Sequence, residues 1–313
     1  MLDGIRVNRM KDKAHTPTVT VLVCTRNRGD GIVNTVQSIL LNDYPNFELR
    51  IVDQSEDELT ESSLRPFIGN PRVRYLRTAT KGLSVARNLA LRTTQNEFIA
   101  TTDDDCETPT HWLKELVAAF SLNNRIGIVF GNVLSGPHNP NRGFISSYVQ
   151  HEPSLARNIF EKHHVEGISG CMGLRRSLWQ RLGGFDEMLG AGARFKSAEE
   201  IDLTIRALIA DYYVYETPNL SVIHHGFHTW EQGRSLIQGY LYGIGAMYAK
   251  HLKCRHWSII QVLLHLAGRW AFEHPVVDFG HRPPRWLRLA AFTRGFADGA
   301  FVPVERATGT YKR

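Results

Sequence analysis

A strand–helix–strand pattern near the N-terminus constrains the fold of this 313-residue chain more than any other feature. Residues 18–24 form a β-branched run typical of a buried strand, and residues 32–41 place apolar side chains at helical spacing. Residues 47–52 form a second strand, and a helical crossover of this length joins parallel strands. The pattern predicts an α/β fold whose ligands bind beyond the carboxyl ends of the strands, where Thr25 and Asp53 stand.

Three adjacent carboxylates, Asp103, Asp104 and Asp105, follow the short apolar run at residues 98–100. Such a run predicts a buried strand that delivers the acids to a site. Clustered carboxylates repel each other at neutral pH unless a positive charge lies among them. Mg²⁺ or Mn²⁺ is the simplest candidate because both ions prefer oxygen ligands, and an acidic turn without a metal is the alternative. An EF-hand is excluded because Thr108 stands where that loop requires glycine.

A third strand at residues 73–76 and a helix at residues 84–93 continue the alternation. Lys81, Arg87 and Asn88 lie around the start of this helix, where they are placed to face phosphates or bases; a solvated helix face is the alternative reading. The chain contains neither a Gly-x-Gly-x-x-Gly turn nor a Walker lysine loop. Their absence disfavours a dinucleotide site and a P-loop site.

The charge of the chain is concentrated at one end. Residues 250–313 contain 11 Lys/Arg and 4 Asp/Glu, a net charge of +7, whereas the whole chain carries +6. This distribution favours an acidic surface as the partner of the tail and argues against nucleic-acid binding.

Four widely spaced cysteines favour a reducing compartment, and the N-terminus lacks the apolar segment of a signal peptide. We therefore expect a cytoplasmic protein.

The motifs along residues 17–230 together resemble those of family 2 glycosyltransferases of GT-A fold. The matching segments, in chain order, are Thr25-Arg26-Asn27-Arg28, Asp53, Lys81-Gly82 with Ala86-Arg87-Asn88, and Asp103-Asp104-Asp105. The resemblance implies a nucleotide-binding, mostly parallel sheet flanked by helices. It also implies a metal-dependent, inverting transfer of sugar from a nucleotide-diphosphate donor.

The resemblance assigns roles to these residues. It implies nucleotide binding by Thr25, Arg26, Asn27, Asp53, Lys81, Arg87, Asp103 and Asp104. Within this set Asp53 would accept a hydrogen bond from the base, and Asp103 would contact the ribose or the base. Asp105, with Asp103, would bind the metal on the diphosphate. A UDP-sugar is the favoured donor, but Gln54 replaces the acid that usually follows Asp53 and leaves the base open.

A helix predicted from residue 197 onward carries the candidate catalytic base. Ser197 and Glu200 have the spacing of a capping box, which would open this helix. Family enzymes usually carry Glu-Asp at this position with the second acid as base, so the resemblance assigns the base to Glu200 and leaves Glu199 as the alternative. The Gly-Gly-Phe-Asp-Glu segment at residues 183–187 resembles a family signature near the donor sugar, and a helix C-cap is its structural alternative.

Two adjacent histidines, His224 and His225, follow an apolar run at residues 220–223. A strand that ends near the metal would let one of them serve as a further protein ligand. A polar loop without metal contact is the alternative.

The C-terminal region, residues 231–313, is predicted to be a basic, amphipathic, helical extension after a polar lead at residues 1–16 and a GT-A domain at residues 17–230. Its apolar stretch at residues 257–272 and the Arg285-Trp286 pair favour peripheral binding to anionic lipid on the inner face of the plasma membrane. Packing on the catalytic domain, or on a second copy in a homodimer, is the alternative.

The sequence thus predicts a glycosyltransferase of polysaccharide biosynthesis that acts on a saccharide or lipid-linked acceptor hydroxyl. Two alternatives remain at this point: a sugar-phosphate nucleotidyltransferase, and a nucleotide-sugar-binding protein without catalysis. The first would require a Gly-rich loop with Arg and Lys after the first strand, which Thr25-Arg26-Asn27-Arg28 does not provide.

Overall fold

A computed structural model of the protein describes residues 16–272 and 283–312. The strands are β1 Val19–Thr25, β2 Phe47–Asp53, β3 Val73–Arg77, β4 Phe98–Asp103, β5 Cys106–Glu107, β6 Ile126–Ser135, β7 Gly143–Ile145, β8 Ser154–Ala156, β9 Cys171–Arg175, β10 Tyr213–His224, β11 Phe227–Thr229, β12 Val304–Glu305 and β13 Thr310–Tyr311. The helices are α1 Val33–Leu40, α2 Leu59–Ile68, α3 Leu83–Thr93, α4 Trp112–Ser121, α5 Arg176–Arg181, α6 Glu199–Ile209, α7 Trp230–Lys253, α8 Ile259–Phe272 and α9 Arg285–Phe301.

The central sheet follows the order β3-β2-β1-β4-β9-β6-β10-β5, and β8 adds to the side of β10. Strands β1 to β4 are parallel, whereas β9 runs antiparallel between β4 and β6. Thr25 pairs with Asp53, and the neighbouring Cys24 pairs with Asp103. The predicted α/β fold with a mostly parallel sheet is therefore confirmed, and its register brings the first two strand ends to the acidic triplet.

Alternation along the central strands supplies two cores, one on each face of the sheet. Val21 and Val23 of β1 pack with α1 and α4, where Trp112 is fully buried. Leu22, between them, packs on the other face with α3 and α6, including Leu203. Because both faces are covered by helices, β1 is buried throughout and reads in sequence as a continuous apolar run.

The segment at residues 135–165, which the sequence pattern leaves unassigned, lies over one end of the sheet. Its short strand β7 pairs with β11, and β8 pairs with β10. The pairing partners are distant in sequence, so local periodicity carries no signal for these elements. The result is a small two-stranded cover that leads directly into α7.

The C-terminal helices pack against one another through glycines. A Cβ at Gly295 would lie 1.9 Å from the carbonyl oxygen of Tyr242, and a Cβ at Gly245 would lie 2.1 Å from that of Phe292. Only glycine allows α7 and α9 to approach this closely.

Among the described residues, no helix is long and apolar enough to cross a bilayer. The polar lead up to residue 15 and Arg282 lie outside the described residues.

Candidate active site

The acidic triplet lies where β4 ends. Asp103 is the last residue of the strand, and Asp104 and Asp105 form the following turn. Thr25 Oγ1 donates to Asp104 Oδ2 over 2.6 Å. Arg28 donates to Asp104 and also, over 2.9 Å, to Asp105 Oδ2. The Arg28 guanidinium therefore offsets part of the repulsion between two of the three acids.

Asp105 and His224 form the pair that best fits a divalent cation. His224 Nδ1 lies 2.8 Å from the carbonyl oxygen of Ser146, and because a carbonyl only accepts, Nδ1 carries a proton. His224 Nε2 then faces Asp105 Oδ1 at 3.2 Å. Asp105 Oδ1 is buried, and no hydrogen-bond donor to it occurs among the described residues. An imidazole lone pair and a carboxylate oxygen at this distance repel each other unless a proton or a metal ion lies between them.

The protonation of this pair reflects its attraction for positive charge. Burial disfavours a charged imidazole, but contact with Asp105 outweighs burial and raises the pKa of His224. Burial likewise favours a neutral carboxyl, but His224 and Arg28 outweigh it and lower the pKa of Asp105. A metal binds histidine in its neutral form, so an ion between His224 Nε2 and Asp105 Oδ1 would take the place of a proton there.

The surroundings of the pair leave room for an ion. A Cβ on Gly226 would lie 2.5 Å from His224 Nε2 and 2.7 Å from Asp105 Oδ2, so glycine keeps this space open. The Cys106 sulfur lies within 4.8 Å of the ligand atoms of both residues. Burial raises the pKa of the Cys106 thiol, and a protonated thiol is a poor ligand for Mg²⁺ or Mn²⁺.

Arg87 connects Asp103 to Glu199. The Arg87 side chain is buried, its Nη1 donates to Glu199 Oε1 over 3.1 Å, and its Nη2 lies 3.8 Å from Asp103 Oδ1. Burial raises the pKa of Asp103 to about 6; Arg87 opposes this shift and Asp105 adds to it. The structure thus places Arg87 between the end of β4 and the start of α6, neither on a solvated helix face nor on an open loop.

Glu200 is the less engaged of the two glutamates that begin α6. Glu199 is buried and held by Arg87, whereas Glu200 is half-buried. Burial and the adjoining Glu199 carboxylate raise the pKa of Glu200 to about 8. Tyr240 of α7 faces the same groups: burial, with Glu200 and Asp103 nearby, raises its pKa to about 12. The charges of carboxylates from β4 and α6 therefore act on a hydroxyl of the C-terminal region.

The end of β2 forms a separate, buried pocket wall. Asp53 is fully buried; its Oδ2 accepts from the Tyr75 hydroxyl over 2.6 Å, and its Oδ1 accepts from the Ser55 amide over 2.8 Å. Gln54 Nε2 donates to the carbonyl oxygen of Gly82 over 3.2 Å. The glutamine that replaces the usual acid thus ties the second strand end to the loop that precedes α3.

Exposed side chains lie at the outer edge of this site, on the loops after the first three strands. Arg26 and Lys81 both pair with Glu56, at 2.8 Å and 2.9 Å. The Asn27 amide donates to Ser55 Oγ over 2.7 Å, and Asn27 adopts a left-handed φ of 52°. The loops after β1, β2 and β3 therefore meet, as parallel strand ends should.

Two sequence expectations around α3 and α6 differ from the geometry. Ser197 does not cap α6, because Ala198 takes the N-cap position with a left-handed φ of 73° and Ser197 Oγ donates instead to the carbonyl of Tyr240 over 3.0 Å. Asn88 is buried and fixes the Phe185 backbone, so it does not face a ligand. The Gly-Gly-Phe-Asp-Glu segment agrees with its structural alternative, because the amides of Gly183 and Gly184 donate to carbonyls of α5 in the turn after that helix, and Asp186 is fully buried.

The structure does not bring His225 to the Asp105–His224 pair, since His225 Nε2 lies 3.2 Å from Glu107. Arg28 and Tyr75 were not among the candidate site residues drawn from the sequence. Arg28 belongs to the Thr-Arg-Asn-Arg motif, which is a signal that could have identified it. Tyr75 carries no such signal, because only the β2–β3 pairing brings it to Asp53.

Comparison with known proteins decides the family. A family model described as Glycosyl transferase family 2 matches residues 20–183, more than half of the chain. The protein belongs to glycosyl transferase family 2. The match covers the triplet and the three loops around it, and it makes the chain a glycosyltransferase. The nucleotidyltransferase alternative is thereby set aside.

Relatives within the family support the same conclusion. WcaA of Escherichia coli K12, named as a putative colanic acid biosynthesis glycosyl transferase, is 24% identical over 251 residues, which are 76% of this chain and 82% of WcaA. WfgD of Escherichia coli, named as a UDP-Glc:α-D-GlcNAc-diphosphoundecaprenol β-1,3-glucosyltransferase, is 29% identical over 115 residues, 36% of this chain and 45% of WfgD.

Solved structures confirm the GT-A fold. The mannosyltransferase PcManGT of Pyrobaculum calidifontis, solved with GDP-Man and Mn²⁺, aligns with a TM-score of 0.60 at 18% identity over 92% of this chain and 88% of its own. S. aureus TarS 1-349 with UDP-GlcNAc aligns with a TM-score of 0.57 at 16% identity over 74% of this chain and 66% of its own.

Proposed function

We propose that this family 2 enzyme transfers a sugar, with inversion, from a nucleotide-diphosphate donor to an acceptor hydroxyl and requires Mg²⁺ or Mn²⁺. The observation that carries the proposal is the approach of His224 Nε2 to the unpaired Asp105 Oδ1 at 3.2 Å. A bound divalent ion supplies positive charge against the diphosphate that leaves. Asp105 and His224 would hold the ion, and the Ser146 carbonyl would fix the histidine tautomer.

The nucleotide is expected between the loops after β1, β2 and β3. Thr25, Asn27 and Asp53 would form the inner wall, and the Tyr75 hydroxyl holds the Asp53 carboxylate in position. Arg26 and Lys81 share Glu56 at the exposed rim, and either cation can leave that pair for a donor phosphate at small cost. Asp103 and Asp104 complete the site on the ribose side. A UDP-sugar is the first donor to test, because S. aureus TarS 1-349, a neighbour in fold, was solved with UDP-GlcNAc and with UDP.

Glu200 is the proposed base. Arg87 pairs with Glu199, whose carboxylate charge lies beside Glu200. This charge makes Glu200 a stronger proton acceptor than an isolated glutamate. The acceptor hydroxyl would give its proton to Glu200 as its oxygen attacks the anomeric carbon from the face opposite the diphosphate. Arg87 acts as a positioning residue, because it reaches the reaction only through Glu199 and Asp103.

The acceptor is proposed to be a saccharide or a lipid-linked saccharide in polysaccharide biosynthesis, in keeping with the names of WcaA and WfgD. Attachment of the basic C-terminal region to an anionic membrane surface would bring the enzyme to a lipid-linked acceptor. A homodimer through the same region is the alternative use of that surface.

The metal assignment is tested by Mn²⁺-dependent nucleotide binding. Thermal unfolding with UDP or GDP, each with and without Mn²⁺, measures stabilisation by a ligand of the folded state, about 2.7 kcal/mol at 100 times the Kd. Wild type should be stabilised by one of the nucleotides only when Mn²⁺ is present. Asp105→Asn and His224→Gln should lose that stabilisation and sugar transfer, while His225→Gln, its matched control on the next residue, should keep both.

The result that would overturn the assignment is equal Mn²⁺ dependence in His224→Gln and wild type, with His225→Gln impaired. Retained transfer in Asp105→Asn at the same Mn²⁺ concentration would equally contradict it. Because unfolding without ligand is recorded for each variant, a folding defect is recognised separately.

A further inference from the structure

A groove of about 470 Å³ lies between α7 and α9, outside the carboxylate site. Four residues of α7, from Ser235 to Tyr242, and four of α9, from Leu287 to Arg294, line its walls, each set at i, i+3, i+4 and i+7 spacing. That spacing places each set on one helix face. The loop before α6 closes the groove with Arg194 and Lys196.

Small residues on both helices leave the space of the groove unfilled. Gly239 on α7 faces Ala290 and Ala291 on α9 across the groove. A Cβ on Gly239 would meet Lys196 Cδ at 3.7 Å, an ordinary contact, so close helix packing does not require glycine here. At Gly245 and Gly295, by contrast, a Cβ would collide with backbone. A glycine inside a helix is unfavourable relative to alanine, and at position 239 its structural effect is to keep the groove open.

The groove is positively charged at its mouth and apolar along its α9 wall. Arg194, Lys196 and Arg294 lie at the mouth, and none of the described residues that line the groove is acidic. Asp298 lies 3.9 Å from Arg294, one turn further along α9, and accepts the Tyr242 hydroxyl. Three cations near one carboxylate leave a net positive charge, which suits phosphate oxygens.

The walls of the groove continue into the catalytic carboxylates. Lys196 lies in the segment that leads to Glu199 and Glu200, and Ser197 joins this segment to α7 through the carbonyls of Gly239 and Tyr240. Tyr240 follows Gly239 directly on α7, and its backbone carbonyl accepts from the hydroxyl of Ser197, two residues before Glu199. One ligand can therefore contact the groove and present a hydroxyl near Glu200.

We propose that this groove binds the phosphate group of an acceptor carried on an apolar chain, with the phosphate at Arg194, Lys196 and Arg294 and the chain along Leu287 and Ala290. The inference rests on the proposed transfer function, because it assigns the acceptor class of the same reaction. Ionic contacts at the mouth and apolar contacts along α9 together select an amphiphile over a free anion.

The sharpest test fills the groove without disturbing the fold. Gly239→Leu places a side chain in the groove, and it should stabilise α7 because leucine is the better helix former. The matched control is Gly268→Leu in α8, where an added Cβ would have no described atom within 4 Å. Binding of geranylgeranyl diphosphate is measured in EDTA, which removes metal-dependent binding at the nucleotide site. Gly239→Leu should weaken this binding at least tenfold, and Gly268→Leu should leave it unchanged.

Charge is tested separately. Arg194→Gln and Arg294→Gln should each weaken geranylgeranyl diphosphate binding by about tenfold or more, the usual effect of removing one charge-assisted hydrogen bond. Lys114→Gln, an exposed lysine on α4, is the control and should have no effect. Inorganic diphosphate and phosphatidylglycerol vesicles serve as competitors, so that a free anion and a phospholipid headgroup are distinguished from a prenyl diphosphate.

Tight binding of geranylgeranyl diphosphate that falls in Gly239→Leu and in the arginine variants supports the proposal. No binding by wild type overturns it, as does equal binding by wild type and Gly239→Leu. Inorganic diphosphate that binds as tightly as the prenyl compound overturns the amphiphile assignment. Vesicle binding that falls in Gly239→Leu, with no binding of the prenyl compound, overturns the acceptor assignment. Mn²⁺-dependent nucleotide binding, measured on the same samples, shows whether a failure belongs to this inference or to the proposed transfer function.

Discussion

Two groups of charged residues in this enzyme differ in how completely their charges are paired. The cleft cluster consists of Asp103, Asp104, Asp105, Glu199, Glu200 and His224. The buried network consists of Asp186, Asp202, Arg206, Lys250 and His251. Both groups join acids to bases across elements that are distant in sequence.

In the buried network every charge has a partner. Lys250 Nζ lies 2.8 Å from Asp186 and 2.5 Å from Asp202, and Arg206 Nε donates to Asp202 over 2.9 Å. Burial lowers the pKa of His251 to about 4, although its contact with Asp202 opposes the shift. Burial opposes ionisation of Asp202 as well, but Lys250 and Arg206 outweigh it and lower the pKa of that carboxyl.

In the cleft cluster the acids outnumber the bases. Asp105 Oδ1 lacks a hydrogen-bond donor among the described residues, and the pKa values of Asp103 and Glu200 are raised. Acids without a full set of partners can still bind a proton or a cation. Fully paired charges, by contrast, hold helices in place. The comparison teaches that the number of unmatched acids, more than the presence of clustered charge, separates a reaction site from a structural core.

The largest effect is expected from Glu200→Gln. Glutamine keeps the shape of the side chain but cannot accept a proton, so turnover should fall by roughly 10²–10⁴-fold with donor binding unchanged. Initial rates and nucleotide binding measured on the same preparation check this. A loss confined to donor affinity would contradict the assignment and pass the role of base to Glu199.

The effect of pH on turnover and stability, compared between wild type and Glu200→Gln, is a second test of the role of Glu200. Turnover of wild type should rise with pH as Glu200 loses its proton near pH 8. A raised pKa in the folded state means that the folded protein loses stability as pH rises through that pKa, because the unfolded chain ionises more easily. Glu200→Gln should therefore lack this loss. Urea unfolding at pH 6 and pH 9 measures it, and an equal pH slope in variant and wild type would argue against a raised pKa.

Lys250→Met should lower the stability of the fold and leave turnover nearly unchanged, the reverse of Glu200→Gln. It removes the shared base and leaves Asp186 and Asp202 buried with less compensation, which typically costs about 3–5 kcal/mol of unfolding free energy. Turnover per folded molecule should stay near that of wild type, because Lys250 does not contact the cleft cluster. Urea unfolding and active-site titration with nucleotide separate the two quantities.

The exposed Lys114→Met is the control for Lys250→Met and should stay within about 0.5 kcal/mol of wild type. Asp186→Asn added to Lys250→Met should recover part of the lost stability, because it removes the carboxylate that lost its ion-pair partner, whereas Asp202 keeps Arg206. A double variant that is less stable than the sum of its single changes would show that the network does not work through charge compensation.

Sequence alone identified the elements whose signals are local. The β-branched run of β1, the helical spacing of α1 and the acids at the end of β4 predicted the sheet and the placement of Asp103 to Asp105. Strand ends in a parallel sheet converge whatever the details of the loops, which is why Thr25 and Asp53 were found without any long-range information.

Long-range register explains what the sequence left undecided. His224 is the last residue of β10 and His225 follows the strand, and only the pairing of His224 with Cys106 between β10 and β5 shows which one reaches Asp105. Ser197 lost its predicted capping role for a similar reason, because α7 offers its hydroxyl two carbonyl acceptors. The partners of Lys250 and Tyr240 come from several elements, and no local pattern predicts them.

The smallest effect is expected for the exposed residues at the start of α9, which belong neither to the buried network nor to the cleft cluster. On α7, Lys250 and His251 are fully buried, whereas at the start of α9 Trp286 is 68% exposed and Leu289 is 54% exposed, with Arg285 exposed beside them. Aromatic and basic side chains exposed together suit the interface of an anionic bilayer. We therefore expect this end of the C-terminal region to bind anionic vesicles.

Each basic residue near an anionic surface contributes on the order of 1 kcal/mol, an effect that salt screens. Arg285→Gln should weaken co-sedimentation with phosphatidylglycerol vesicles by about fivefold at low salt, and Trp286→Ser should weaken it through lost apolar contact. Arg74→Gln, an exposed arginine on β3, is the control and should bind like wild type. Gly239→Leu should also bind like wild type, because the groove and the vesicle contact use different faces of α9. Equal sedimentation of wild type with anionic and neutral vesicles at low salt would refute membrane binding, and α9 would then serve packing or dimerisation alone.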